Sequence, residues 1–302
     1  MKLGIAIPQT DIGGDPLVAR DFAQAAEATG YHHLATYDHV LGANVASRPD
    51  WTGTFTSAHC FHDAFVLLGY LAGQTTGIEL TTQVLILPQR QTALVAKQAA
   101  SVDVLSGGRL RLGIGIGWNP VEYVGLGENF HNRGRRSEEQ IAVMKALWAD
   151  PHVTFKGAWH DIPDAGINPL PVRRSIPVWL GGEADAVLRR IARLGDGWII
   201  LAYQPDEKAR QQIEKLRAYS REVGRGEGDV GIDAWMSMGR SAPREWRQEV
   251  AAWRQLGVTH ITLNTAVPFS AERRHHKRID GRSTDAHVAA MRQFYESVAD
   301  LL

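Results

Sequence analysis

The run LRLGIGI at residues 110–116 leaves a chain few ways to fold around it. Leu110, Leu112, Ile114 and Ile116 alternate with Arg111, Gly113 and Gly115, a period of two that belongs to a β-strand. One side carries branched bulk and the other almost none, so something can approach the backbone there. Upstream, Ala96, Ala99, Ala100, Val102, Val104 and Leu105 supply apolar helix faces. Ser106-Gly107-Gly108 stops that helix, because glycine accepts the left-handed backbone of a helix end. Downstream, Gly117-Trp118-Asn119-Pro120 ends the strand abruptly. In a barrel of parallel strands, such a strand end opens on the functional face.

The same unit recurs along the chain. Strands are expected at 3–7, 33–36, 78–87, 110–116, 177–180, 197–200, 232–238 and 260–263. Helices are expected at 17–28, 63–71, 92–105, 135–148, 184–194, 206–223, 244–256 and 284–301. Asp15 and Pro16 suit the cap and first position of the first helix, and Gly30 its stop. Eight such units in 302 residues match one (β/α)8 TIM barrel, an α/β fold spanning 1–302. Two stretches break the rhythm. The loop 42–60 is longer than ordinary connections and carries Trp51 and Phe55, which suggests a lid. Residues 150–176 are proline-rich, with β-like pieces at 153–155 and 159–160. The alternation resumes at once, so this reads as an insertion rather than a domain boundary.

Composition excludes several classes of function. Lys+Arg and Asp+Glu are both 33, which gives nucleic acid or an anionic membrane no global electrostatic support. The single cysteine, Cys60, excludes an internal disulfide and a Cys-rich metal site, and fits a reducing cytoplasm. The opening MKLGIAIPQTD has too short an apolar run for a signal peptide or a membrane helix.

A few places carry groups that chemistry can use. At Gly181-Gly182-Glu183 a strand enters and a helix leaves, so backbone N–H groups and the positive end of a helix dipole converge. It is either an anion site or an ordinary βα turn. Asp38-His39 ends the second strand. Histidine titrates near neutrality and suits proton transfer, although the pair also reads as a capping Asp beside a solvated His. Trp51, Phe55, Trp118 and Tyr203 are either aromatic walls for an apolar substrate or ordinary packing. Glu122 is either an acid near the mouth or a helix cap. His32, His33, His39, His59 and His62 match no compact ligand spacing, so a metal hydrolase is disfavoured and no metal is expected. The basic run at 273–278 reads as a solvated loop.

LSGGRLRLGIGIGW, with AKQAASVD before it and the FxxRGRR pattern at 130–136 after it, resembles the bacterial luciferase-like family. Those proteins are flavin- or deazaflavin-dependent oxidoreductases on a TIM barrel, and the resemblance extends from Leu3 to about Leu263. It implies cofactor phosphate at Gly181, Gly182 and Glu183, and Asp38 and His39 beside the cofactor ring, with His39 catalytic. It implies a bulge with a non-prolyl cis peptide at Gln83–Val84, followed by Leu85, behind that ring. Gly117 and Asn119 complete the expected cofactor contacts. Deazaflavin-dependent sugar-phosphate dehydrogenases of the family carry a catalytic Glu at the position of Trp118. The Trp removes that acid, which argues against a sugar phosphate and for a small apolar or aromatic substrate. The Asp-His pair, the GIGW strand end and the FxxRGRR segment look closest to the branch that uses coenzyme F420; FMN is the alternative. With F420, direct hydride transfer is favoured over oxygen insertion. A homodimer is also implied. The competing reading is a non-catalytic cofactor-binding protein on the same barrel.

Overall fold

The structure is a computed structural model that describes residues 1–239, 242–266 and 279–302. The chain runs β1 (Lys2–Ala6), α1 (Gln9–Ile12), α2 (Pro16–Thr29), β2 (His33–Thr36), α3 (Ala64–Ala72), β3 (Glu79–Thr82), β4 (Leu85–Ile86), α4 (Thr92–Leu105), β5 (Leu110–Gly115), α5 (Pro120–Gly125) and α6 (Arg133–Ala149). It continues through β6 (Val153–Lys156), β7 (Asp161–Ala165), β8 (Val178–Gly181), α7 (Asp185–Leu194), β9 (Gly197–Ile200), α8 (Glu207–Glu222), β10 (Gly231–Ser237), α9 (Pro243–Gln255), β11 (His260–Asn264) and α10 (Thr284–Val298). Strands β1, β2, β3, β5, β8, β9, β10 and β11 pair in parallel in that order, and β11 returns to β1. The eight-stranded parallel barrel is therefore closed, as the alternation predicts. The basic run at 273–278 lies outside the described residues.

Local chemistry explains where the elements start and stop. The Asp15 side chain accepts from the Leu17 N–H at 2.8 Å and Pro16 opens α2. Asp63 caps α3 in the same way, and Asp206 caps α8. One expected strand does not hold together. The run 78–87 splits into β3 and the two-residue β4, with a cis peptide between Gln83 and Val84, as the family resemblance implies. β4 then pairs with the upper part of β5, Leu85 opposite Ile114. The one-turn helices α1 and α5 are too short for a periodic pattern to announce.

Side chains divide into two layers. Leu110, Leu112 and Ile114 face outward and join the apolar layer between sheet and helices, as do Leu3 and Ile5 of β1 and Val178 and Leu180 of β8. Inward-facing residues fill the lumen. Its upper part is a smaller cluster that includes Ala6, Ala35, Tyr37, Ile199, Trp235 and Ala266, with Phe55 of the long loop covering it.

The lower lumen is ionic. Arg111 Nη1 donates to Asp233 at 3.1 Å, and its Nε donates to Glu79 at 2.6 Å. Its guanidinium lies 4.4 Å from the Trp179 ring centroid. His33 Nε2 lies 2.8 Å from Thr262 Oγ1, which donates to Asp233 at 2.9 Å. Burial, reinforced by the Arg111 charge, holds His33 well below its ordinary range. Burial likewise pushes His260, in the same layer, down to about 3. These groups form a packed floor under the mouth.

The segment between α6 and β8 stands outside the barrel sheet as an antiparallel hairpin, β6 with β7. Glu139 on α6 ties its tip down. Its carboxylate accepts from the N–H groups of Ala158 and Trp159, each at 2.8 Å, and bonds His160 Nδ1 at 2.7 Å. Trp159 and His160, expected to be β-like, therefore belong to the turn, and β7 begins at Asp161.

Candidate active site

The C-terminal ends of the strands converge on a mouth covered by the loop that follows β2. His39 sits there because β2 ends at Thr36 and the next three residues climb out of the lumen. Its ring packs among Phe55, Phe61 and Trp118, with centroids 4.7, 5.0 and 6.1 Å away. Its Nδ1 lies 3.1 Å from Oε1 of Glu122 on α5. Glu122 is 1% exposed, and the same oxygen accepts from the N–H groups of Val40 and Leu41. Gln89 Nε2 donates to its other oxygen at 3.3 Å. A cleft of about 260 Å³ opens beside His39, lined also by Phe55, Phe61, His59 and Thr56.

Asp38 points away from His39. Arg90 grips its carboxylate, with Nη2 at 2.7 Å from Oδ1, and the Ile86 N–H donates to Oδ2 at 2.9 Å. Arg90 also reaches Asp63 at 2.9 Å, so Asp38 ties the end of β2 to β4 and to the cap of α3. The group that orients His39 is Glu122.

Gln83 turns its side chain down into the lumen. Its Nε2 donates to Asp233 at 2.7 Å and to Thr262 at 3.0 Å, and Trp235 Nε1 donates to its Oε1. Val84, on the far side of the cis bond, stands in space left by two glycines. A Cβ on Gly115 would come 2.4 Å from Val84 Cγ2, and one on Gly181 3.0 Å from Cγ1. The open side of the β5 alternation is thus used: Val84 forms an apolar platform at the mouth, between β5 and β8. Leu85 turns outward into the helix–sheet layer. Gly117 takes φ +65° where the chain leaves β5. Asn119 caps α5 through the Val121 N–H at 3.0 Å and lies 2% exposed.

Gly182 has φ +127°, a conformation that side chains resist, and its carbonyl accepts from Trp198 Nε1 at 2.8 Å. Glu183 and Ala184 lead into α7. Ala184 is the N-cap and offers no side-chain acceptor, so the first turn of α7, like those of α4 and α6, has no side-chain cap. A platform in the mouth and an uncapped helix start at the end of the adjoining strand suit a planar group carrying a phosphate.

The long loop closes on itself. Ala43 and Thr56 form a parallel bridge, and the Ser57 N–H donates to the Ala43 carbonyl at 3.0 Å. Trp51 lies over Trp118 with centroids 5.8 Å apart, and Gly53 fits between the two indoles. Phe55 and Trp118 thus pack on His39 and Trp51 packs on Trp118; of the three, Phe55 lines the cleft. Tyr203 is not among them. It packs on Trp198 in the outer layer, 6.3 Å between centroids.

Phe61, Arg90 and Tyr37 were not marked by the sequence as site residues. The Tyr37 hydroxyl donates to Asn264 at 3.3 Å, and burial pushes the phenol far above its ordinary range, so it stays a neutral donor. Phe61 had a signal, an aromatic just past the expected loop boundary at 60. The five early histidines do not gather at one point: His33 is in the floor, the His32 ring accepts from the Leu3 N–H, and His39 and His59 share the cleft. Among the described residues, no three His, Cys, Asp or Glu side chains are grouped to hold a metal ion. No helix among them is long and apolar enough to cross a membrane.

Comparison with known proteins agrees with this architecture. Residues 2–299 match the family model described as luciferase-like monooxygenase. An uncharacterised protein of Mycobacterium bovis is 36% identical over 256 residues, covering 82% of this chain and 85% of that one. The FMNH2-dependent dimethylsulfone monooxygenase of Pseudomonas fluorescens is 29% identical over 213 residues, 70% of this chain and 54% of that one. Among solved structures, an F420-dependent secondary alcohol dehydrogenase in complex with an F420–acetone adduct superposes with a TM-score of 0.76 at 16% identity, covering 98% of both chains. At that identity the likeness is one of fold.

Proposed function

We propose that this chain, which belongs to the luciferase-like monooxygenase family, is an oxidoreductase that holds coenzyme F420, in preference to FMN, against Val84. Its substrate is a small, largely apolar or aromatic organic molecule in the cleft beside His39. The observation that carries this reading is the pairing of His39 with the buried Glu122 at the wall of an aromatic cleft. When bound, the cofactor supplies a two-electron hydride acceptor or donor. The chain supplies everything around it. Gly181, Gly182 and the start of α7 take the phosphate, and Val84 backs the ring. His39 takes or returns the proton that accompanies the hydride. Trp51, Phe55 and Trp118 exclude water from the cleft. The preference for F420 rests on the Asp38-His39 pair, the GIGW strand end and the segment at 130–136; the dimethylsulfone monooxygenase likeness speaks for FMN. We place the protein in the cytoplasm as a homodimer, on the half-buried lone Cys60 and on family likeness.

Titration of the purified protein with F420 and with FMN separately, followed by the visible absorbance of each, tests the assignment. F420 is expected to bind more tightly. Gly182→Val, checked for folding by circular dichroism, should weaken binding, because the new Cβ lies 3.3 Å from Val187 in a backbone conformation it resists. Binding of FMN alone reverses the cofactor choice, and binding of neither overturns the reading.

A further inference from the structure

We infer that Glu122 is a positioning residue that fixes the tautomer of His39, so that the nitrogen presented to the cleft is a bare acceptor. Both oxygens of Glu122 already receive donors. Oε1 takes the N–H groups of Val40 at 3.1 Å and Leu41 at 3.4 Å, and Oε2 takes Gln89 Nε2 at 3.3 Å. Backbone N–H groups only donate, so Oε1 is an acceptor there, and the proton in its 3.1 Å contact with His39 belongs to Nδ1. Neutral His39 then carries a lone pair on Nε2. That atom makes no hydrogen bond among the described residues, and the residue lines the cleft. Free histidine in water prefers the opposite form, with the proton on Nε2, so the protein imposes this one.

His59, on the other wall of the cleft, is held the opposite way. Its Nδ1 accepts from the Thr56 backbone N–H at 3.1 Å, which leaves the proton on Nε2. The cleft therefore has two histidines of opposite polarity, and the group that meets His39 is a hydrogen-bond donor, a hydroxyl or an N–H. That last step rests on the reading of the cleft as the substrate site. The tautomer itself does not.

Long-range proton–nitrogen correlation spectra of the ligand-free protein, recorded at alkaline pH with nitrogen-labelled histidine, read each ring's tautomer directly. The His39 signals are identified by their loss in His39→Gln, and those of His59 by their loss in His59→Gln. We expect His39 protonated on Nδ1 and His59 on Nε2. Glu122→Gln keeps an acceptor oxygen and should preserve the His39 pattern. Glu122→Ala should return His39 to the Nε2-protonated form while His59 is unmoved. Nε2-protonated His39 in the unaltered protein overturns the inference, whether or not the alanine variant folds, as do unchanged His39 signals in Glu122→Ala. Failure of both cofactors to bind would instead overturn the proposed function and leave the tautomer assignment standing.

Discussion

Arg111 enters the lumen one turn of the strand pleat below Gly113, and its charge has nowhere to go but Asp233 and Glu79. The guanidinium is 2% exposed and Asp233 is fully buried. Removing one partner of such a pair strands the other in a medium that cannot solvate it, at a cost of about 3–5 kcal/mol. Arg111→Met should therefore lower unfolding stability by about that amount in denaturant titration. Asp233→Asn in the same background should recover part of the loss, because the amide carries no charge to strand. A loss below about 1 kcal/mol in the single variant would mean that Gln83, Thr262 and His33 solvate Asp233 without the cation. The partners in both the floor and the mouth were hidden in the sequence for one reason. Glu122 and His39 are 83 residues apart, and Arg111 and Asp233 are 122 apart. Periodicity reports what a residue's neighbours do, and neither pair is local. Glu122 at the third position of α5 looks like a cap, yet its carboxylate crosses to the loop after β2.

At the scale of elements, the loop after β2 is held shut by contacts between rings. A Cβ on Gly53 would stand 2.5 Å from both Trp118 and Trp51. Gly53→Val should prise the two indoles apart and loosen the loop while the barrel stays folded. Chymotrypsin cleavage after Trp51, within the loop, should then be faster than in the unaltered protein, with cofactor affinity unchanged. Equal cleavage rates would show that the Trp51–Trp118 contact does not hold the loop. The loop and its aromatics were legible because a long connection with exposed-looking Trp and Phe is unusual. Tyr203 was singled out on the same logic and lies elsewhere, against Trp198. It follows β9 just as His39 follows β2, but the chain there turns outward over Trp198, and nothing in a four-residue strand encodes the direction of its exit.

For the whole molecule, acid should weaken the fold through two buried histidines, with Glu249, which burial raises to about 7, opposing one of them. His33 and His260 are held neutral, His260 down to about 3. In the unfolded chain both take up protons near the ordinary histidine value of about 6.5. The unfolded state thus binds more protons than the native state between the two values, so stability rises with pH across that window and falls as pH drops below about 6.5. The thermal midpoint is expected to decline from pH 7 to pH 5, and His260→Gln should flatten the decline. A midpoint that is constant over this range would mean that the floor admits the proton. The barrel itself was legible because each of its eight units carries its own local signals, from the glycine alternation of β5 to the Asp15-Pro16 start of α2. The break between β3 and β4 was not legible from residues 78–87 alone, which are uniformly β-like; only the family likeness pointed to it.

The bridge between Ala43 and Thr56 has a consequence for how such a molecule can change. A loop pinned at its base is a cassette. Residues 44–55 can lengthen or shorten while the two ends stay where the barrel wants them, and each doubling of a flexible loop costs only about 0.6 kcal/mol in closure entropy. The floor, the platform and the His39–Glu122 pair lie outside it and would be inherited unaltered, while the cover that Phe55 and Trp51 lay on the mouth is rewritten.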